Sequence, residues 1–166
     1  MLELEQCMNA SREGFDVEPV ANDLFAWTVR LHSFDSSALM EGLLLWSDAT
    51  GLDPAVVLSV RFPPDFPDAP PFVRVVQPRF VQYTAHIVNG SVCVEDLSKT
   101  GWRRDNSVVQ VLIMVRNLLV EGGALVSMDN LLPYDEAEAM QSYARVMAAH
   151  GWAAPEVTEN VEEDEA

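Results

Sequence analysis

Cysteines and basic residues are both scarce in this sequence. Only two cysteines, Cys7 and Cys93, occur among 166 residues, and their wide separation favours neither a disulfide framework nor a zinc site. Ten Lys and Arg against 26 Asp and Glu leave a formal charge of -16. Such a chain repels a phosphate backbone and attracts basic surfaces, so nucleic acid is not an expected partner. We also expect no bound metal ion and no cofactor.

Long hydrophobic runs are missing as well. The longest apolar stretches, such as residues 111–115, are far too short to cross a bilayer. Residues 1–5 (MLELE) have neither the basic region nor the apolar core of a signal peptide. These features predict a soluble protein of a reducing compartment, cytoplasmic or nuclear, with no membrane partner.

The chain is rich enough in apolar residues to bury a core. Hydrophobic residues make up 49% of it, and its length suits one domain, which we place at residues 1–155. Residues 156–166 contain six acids and no aromatic residue, which predicts a disordered acidic tail. An acidic single domain with no long exposed apolar stripe is expected to be a monomer.

Three segments predict strands. Residues 27–31 and 56–62 alternate apolar and polar side chains, and residues 72–76 continue the pattern. The proline-rich stretch 62–71 is a rigid connection, since proline lacks the backbone donor that a strand needs. Three strands joined by short connections predict an antiparallel meander with one face against helices, an α+β fold.

Four segments predict helices, of which two follow at the C-terminal end. Residues 1–14 form a short one ending at Gly14, and a second over 36–48 is capped near Ser36 or Ser37. Ser107 and Gln110 form a capping box that opens a mostly buried helix to about residue 120. The last helix covers 134–150. The expected core residues of the third helix are Val111, Leu112, Val115 and Leu119, and the expected apolar face of the fourth is Ala137, Met140, Ala144 and Met147.

Residues 77–106 have little periodicity, and Cys93 lies inside this stretch. A structureless segment of that length is uncommon within a domain and is usually functional. We interpret it as a long active-site loop.

Several segments, taken in order, resemble ubiquitin-conjugating enzymes and most closely their Q subfamily. They are residues 70–76 (PPFVRVV), 90–93 (GSVC), 97–102 (LSKTGW), 141–143 (QSY) and 151–155 (GWAAP). The resemblance implies the ubiquitin-conjugating fold, with Cys93 carrying ubiquitin or a related modifier as a thioester received from an activating enzyme. It implies transfer to an amine as the next step, alone or with a ligase.

The sequence departs from the general family at two places. It has no His-Pro-Asn before the cysteine, as is also true of the Q subfamily, so the role of that asparagine is not carried over. The positions that resemble the ligase-docking sites hold Asp68 and Arg103-Arg104-Asp105. Charged residues there should weaken docking to an apolar groove, so a ligase would need a non-standard docking surface.

Transfer to an amine requires hydrogen-bond donors for the oxyanion and a carboxylate that guides the incoming lysine. Their nearness to Cys93 in the sequence makes several polar residues candidates. The candidate donors or loop supports are His86 and Asn89; the candidate lysine-guiding carboxylates or gating residues are Glu95, Asp96, Asp105, Ser127 and Asp129.

Each of these interpretations has a plainer alternative. A cysteine in an apolar chain is commonly a small buried core residue, which is how we interpret Cys7. His86 is then an ordinary loop histidine, residues 89–90 a simple turn, and Trp102 a packing residue under the loop.

Three functions compete at this stage. The first is an active conjugating enzyme with a Cys93 thioester, and the second is an inactive module of the same fold that binds ubiquitin or a partner protein. The third, a cysteine protease using Cys93 and His86, is weak because no residue is evident to orient the histidine.

Overall fold

The protein is described here by a computed structural model covering residues 2–35 and 37–155. The predicted acidic tail at 156–166 and the candidate cap Ser36 therefore lie outside the described residues. The helices are α1 (Leu2–Asn9), α2 (Ala38–Thr50), α3 (Val108–Glu121) and α4 (Glu136–His150); the strands are β1 (Phe15–Val20), β2 (Asp23–Leu31), β3 (Val56–Arg61), β4 (Phe72–Gln77), β5 (Ile87–Val88) and β6 (Ser91–Val92).

One antiparallel sheet organises the fold, with strand order β1-β2-β3-β4-β6-β5. The three predicted strands are its centre, so the predicted meander and the α+β class are confirmed. The prediction missed β1, which alternates buried and exposed residues but contains Pro19 and pairs on one side only. It was also wrong to leave residues 77–106 without regular structure. They contain β5, β6 and a 3-10 turn at Glu95–Leu97, all too short to show a period.

The helix ends follow the predicted capping chemistry. The Met40 amide donates to Ser37 Oγ at 3.3 Å at the start of α2. At the start of α3, the Gln110 amide donates to Ser107 Oγ and the Ser107 amide donates back to Gln110 Oε1, which completes the capping box. Gly151 ends α4 in a left-handed conformation, as predicted.

The first and last helices differ from the predictions in detail. The α-helical part of the first ends at Asn9, and a 3-10 turn at Ser11–Glu13 fills the space before Gly14. The predicted apolar face of α4 was partly wrong, because Ala137 and Ala144 are exposed. Alanine is a weak marker of a buried face, and larger side chains decided the orientation of the helix. The buried residues of α4 are Ala139, Ser142, Tyr143 and Met147.

Helix α3 supplies much of the core. The four residues predicted for its buried face, Val111, Leu112, Val115 and Leu119, are all buried in the main hydrophobic cluster. Cys7 of α1 is buried in the same cluster, as its structural interpretation requires. Burial raises the pKa of the Cys7 thiol to about 12, and the Glu3 charge adds to this, so the thiol is neutral at physiological pH.

A chain of aromatic rings joins the sheet to the long loop. Trp27 contacts Phe62 at 4.5 Å between ring centroids, Phe62 contacts Phe66 at 4.8 Å, and Phe66 contacts Trp102 at 6.3 Å. The Trp102 indole N–H donates to the Pro67 carbonyl at 2.8 Å. Trp102 is therefore a packing residue under the loop, as predicted, and it fixes the loop to the proline-rich connection. None of the helices in the described part of the chain is both long enough and apolar enough to span a bilayer.

Candidate active site

Cys93 follows a tight hairpin formed by β5 and β6. Val88 pairs with Ser91, and the two residues between them, Asn89 and Gly90, have φ angles of 48° and 87°. An Asn-Gly pair adopts these left-handed conformations readily and is favoured in two-residue hairpin turns. The turn predicted at 89–90 is confirmed, and it fixes the direction in which the chain enters Cys93.

The Cys93 thiol is held at the edge of the core. About 8% of the residue is exposed, its amide donates to the His86 carbonyl at 3.0 Å, and its thiol lies 3.5 Å from Ser91 Oγ. Burial raises the pKa of the Cys93 thiol, while hydrogen bonds from Ser91 and the Val88 backbone act to lower it. The net direction is upward, so the resting thiol is protonated at neutral pH.

The two candidate donors are placed differently. Asn89 Nδ2 donates to Ser142 Oγ on α4 at 2.8 Å, and Arg145 donates to the same oxygen at 3.1 Å. The Asn89 amide is therefore held by the last helix. His86 is joined to Cys93 through its backbone carbonyl, and its side chain is exposed.

The structure brings only some of the candidate carboxylates near the cysteine in the chain. Glu95 and Asp96 are exposed on the 3-10 turn that follows Cys93 directly. Asp105 is exposed and lies 3.3 Å from Arg103 Nε.

The two gating candidates belong to the loop before α4. The Asp129 amide donates to Ser127 Oγ at 3.4 Å, and the Ser127 amide donates to the Arg79 carbonyl at 2.8 Å. Hydrogen bonds thus join this loop to the segment after β4 and, in the described ranges, none joins either residue to Cys93.

Helix α4 supplies two site residues that sequence reasoning left without a role, Ser142 and Tyr143. Both are buried, and the Tyr143 hydroxyl donates to the Leu97 carbonyl at 2.8 Å, which anchors the turn after Cys93. Burial raises the pKa of that hydroxyl, and the nearby Cys93 charge adds to the effect. The only sequence signal was the QSY segment at 141–143, which does not reveal what the side chains contact.

The segment after α4 also holds the loop. The Lys99 amide donates to the Ala153 carbonyl at 2.8 Å, and the Ala153 amide donates to Thr100 Oγ1 at 3.0 Å. The candidate active site is therefore a loop attached at both ends of α4, with the core beneath it.

The two charged positions that resemble ligase-docking sites pair with each other. Arg104 Nη1 lies 2.8 Å from Asp68 Oδ1, and both side chains are largely exposed. An exposed ion pair contributes little to stability, typically ~0–1 kcal/mol. It does present a polar, charged surface where the resemblance would place an apolar one.

The sheet, the central α3 and the intervening cysteine loop define the ubiquitin-conjugating fold. Solved structures of ubiquitin-conjugating enzymes share it. One from Plasmodium falciparum superposes with a TM-score of 0.55 at 15% identity, covering 72% of this chain and 79% of that one. One from Toxoplasma gondii gives 0.54 at 16% identity, covering 92% and 97%.

Sequence comparison extends this from the fold to the family. The chain belongs to the ubiquitin-conjugating enzyme family, whose model matches residues 53–148. It is 35% identical over 147 residues to human ubiquitin-conjugating enzyme E2 Q1, covering 85% of this chain and 34% of that protein. It is 30% identical over 166 residues to the human ubiquitin-conjugating enzyme Q-like protein 1, covering 96% and 99%. The chain thus spans about a third of the first relative, and both relatives agree with the Q subfamily.

Proposed function

We propose that the protein accepts ubiquitin or a ubiquitin-like modifier as a thioester on Cys93 and transfers it to an amine. The donor of the thioester is an activating enzyme, and the amine is reached alone or with a ligase. The observation that carries the proposal is the position of Cys93: the thiol is free, lies directly after a rigid hairpin, and sits in a loop fixed by α4. Membership of the ubiquitin-conjugating enzyme family supports the same conclusion.

The chemistry needs little beyond this thiol. In transthiolation, the Cys93 sulfur attacks the activated carbonyl and the sulfur of the activating enzyme leaves. The acidic surface suits a basic partner, given the formal charge of -16. The Arg104–Asp68 pair favours a ligase that contacts the protein through polar groups.

The proposal also covers the setting of the reaction. We infer that residues 1–155 are the catalytic domain, that it works as a monomer, and that the protein acts in the cytoplasm or the nucleus. Two free cysteines in the described chain agree with a reducing compartment.

Charging with ubiquitin tests the proposal directly. Incubation with activating enzyme, ubiquitin and ATP should give a ubiquitin-sized shift on a non-reducing gel that disappears with thiol reductant. Cys93→Ala should abolish the shift and Cys7→Ala should retain it, because Cys7 is buried in the core. A folded wild-type protein that shows no shift with a working activating enzyme would contradict the proposal for ubiquitin, and the assay would then be repeated with ubiquitin-like modifiers.

The second candidate is an inactive module that binds ubiquitin or a partner protein. The small exposed fraction of Cys93 and its raised pKa favour this alternative. Ubiquitin binding without any thioester would establish it. The protease interpretation gains no support from the geometry, since the Cys93–His86 hydrogen bond joins backbone atoms.

Asn89 should affect transfer through its contact with Ser142. Asn89→Ala should slow discharge of a preformed thioester to free lysine by about two- to tenfold, the effect of one lost hydrogen bond. Ser142→Ala should slow it similarly, and the double variant should lose little more, because the two changes remove the same interaction. Single-turnover discharge measures all three rates. A Ser142→Ala protein with wild-type discharge would show that Asn89 acts independently of α4.

A further inference from the structure

Ser91 is a buried polar residue whose side chain faces the reactive sulfur. In the described ranges, three polar residues are buried, Ser91, Ser98 and Ser142. The hydroxyl of Ser98 donates to the Glu95 carbonyl, and that of Ser142 accepts from Asn89 and Arg145. Ser91 has 0% exposure, and the Cys93 thiol, 3.5 Å from its Oγ, is the one hydrogen-bond partner of this hydroxyl in that part of the chain.

A hydroxyl in this position has a clear physical role. A buried polar group without a partner is costly, so the Ser91 hydroxyl keeps its interaction with sulfur in either protonation state. In the neutral thiol, S–H donates to Ser91 Oγ. When the thiol loses its proton, the hydroxyl rotates and its O–H donates to the thiolate, because a serine hydroxyl is both donor and acceptor.

We propose that Ser91 is a second catalytic residue, which stabilises negative charge on Cys93 Sγ both when this sulfur attacks and when it leaves. The proposal rests on the proposed function of Cys93 and adds a named group to it. Nothing else in the described loop places a hydroxyl against the sulfur. Burial works against the thiolate at this site, and the Ser91 hydroxyl offsets part of that effect on the pKa.

The same hydrogen bond serves both half-reactions. In charging, the Cys93 thiolate forms the new C–S bond while the sulfur of the activating enzyme departs with its electron pair. In transfer, the amine nitrogen attacks the thioester carbonyl, the C–S bond breaks, and its electron pair returns to Cys93 Sγ. The amine proton passes to solvent. Ser91 donates to the sulfur at the start of the first step and at the end of the second.

Alkylation of Cys93 by iodoacetamide across a range of pH tests the role without any conjugation partner. Because only the thiolate reacts, the rate follows thiolate formation. Ser91→Ala should move the pH profile upward and slow alkylation near neutral pH by about tenfold, the effect of losing one hydrogen bond to a charged group. Labelling of Cys93 is read from its own peptide by mass spectrometry, which separates it from Cys7.

Matched variants distinguish chemistry from packing. Ser91→Thr and Ser91→Val have nearly the same shape, but only threonine keeps the hydroxyl, so threonine should retain the wild-type profile and valine should not. Ser98→Ala removes another buried hydroxyl of the loop and should leave the pH profile in place. Thermal unfolding of every variant shows that the comparison is made between folded proteins.

The outcomes are distinct. Superimposable alkylation profiles for folded Ser91→Ala and wild type, or for the threonine and valine variants, would overturn the role of Ser91. An upward shift in Ser91→Ala and Ser91→Val, with slower charging by the activating enzyme, supports it. Failure of the wild-type protein to charge would instead contradict the proposed function, since alkylation needs no modifier.

Discussion

Replacing Leu112 with alanine should lower the free energy of unfolding by about 2–5 kcal/mol. Leu112 has 0% exposure and lies on the buried face of α3 within the main hydrophobic cluster. Removing its side chain takes away apolar contacts and leaves a cavity that close-packed neighbours fill only in part. Urea denaturation followed by circular dichroism measures the change.

Leu44→Ala is the matched control for this substitution. Leu44 lies on helix α2 and is 49% exposed, so the same chemical change should alter stability by no more than about 0.5 kcal/mol. Similar losses for both variants would show that α3 is less central to the core than its burial indicates.

Replacing Gly90 with alanine should disrupt both folding and charging. Gly90 has a φ of 87°, and a Cβ at this position would lie 2.8 Å from the Val75 carbonyl oxygen and 2.9 Å from Tyr134 Cγ. The left-handed conformation costs alanine about 1–2 kcal/mol, and the overpacking costs roughly another 1–3 kcal/mol. The hairpin that leads into Cys93 must move to relieve the contact, so the rate of thioester formation should fall as well.

Gly51→Ala separates the two causes. Gly51 has a φ of 74°, ends α2, and has nothing within 4 Å of the position that a Cβ would occupy. It should lose only the conformational part and should charge at the wild-type rate. Equal losses of stability in the Gly90 and Gly51 variants would mean that the contact with Val75 and Tyr134 relaxes at no cost.

The elements predicted well from sequence share a strong local signal. The alternation in residues 27–31 and 56–62 and the capping box at Ser107 are decided within a few residues, and the structure has strands and a helix there. The elements predicted poorly carry little local signal. Strands β5 and β6 contain two residues each, and they exist because β6 pairs with β4 at Arg74 and Ser91.

The candidate site follows the same division. Cys93 and the turn at 89–90 are evident in the sequence because Asn-Gly turns and a cysteine in the loop motif are local features. The Asn89–Ser142 and Tyr143–Leu97 hydrogen bonds join residues that lie 53 and 46 positions apart in the chain. No periodicity or spacing reports such contacts.

The sequence by itself determined the acidic character of the protein, the centre of its sheet, the buried face of α3 and the residue that bears the reactive thiol. Each of these depends on composition or on neighbours along the chain. Only the tertiary structure decided the environment of that thiol: its burial, the hydroxyl of Ser91 against it, and the support from α4. These depend on how α4 packs beside the short hairpin, and packing between distant segments is set by the shape of the whole core.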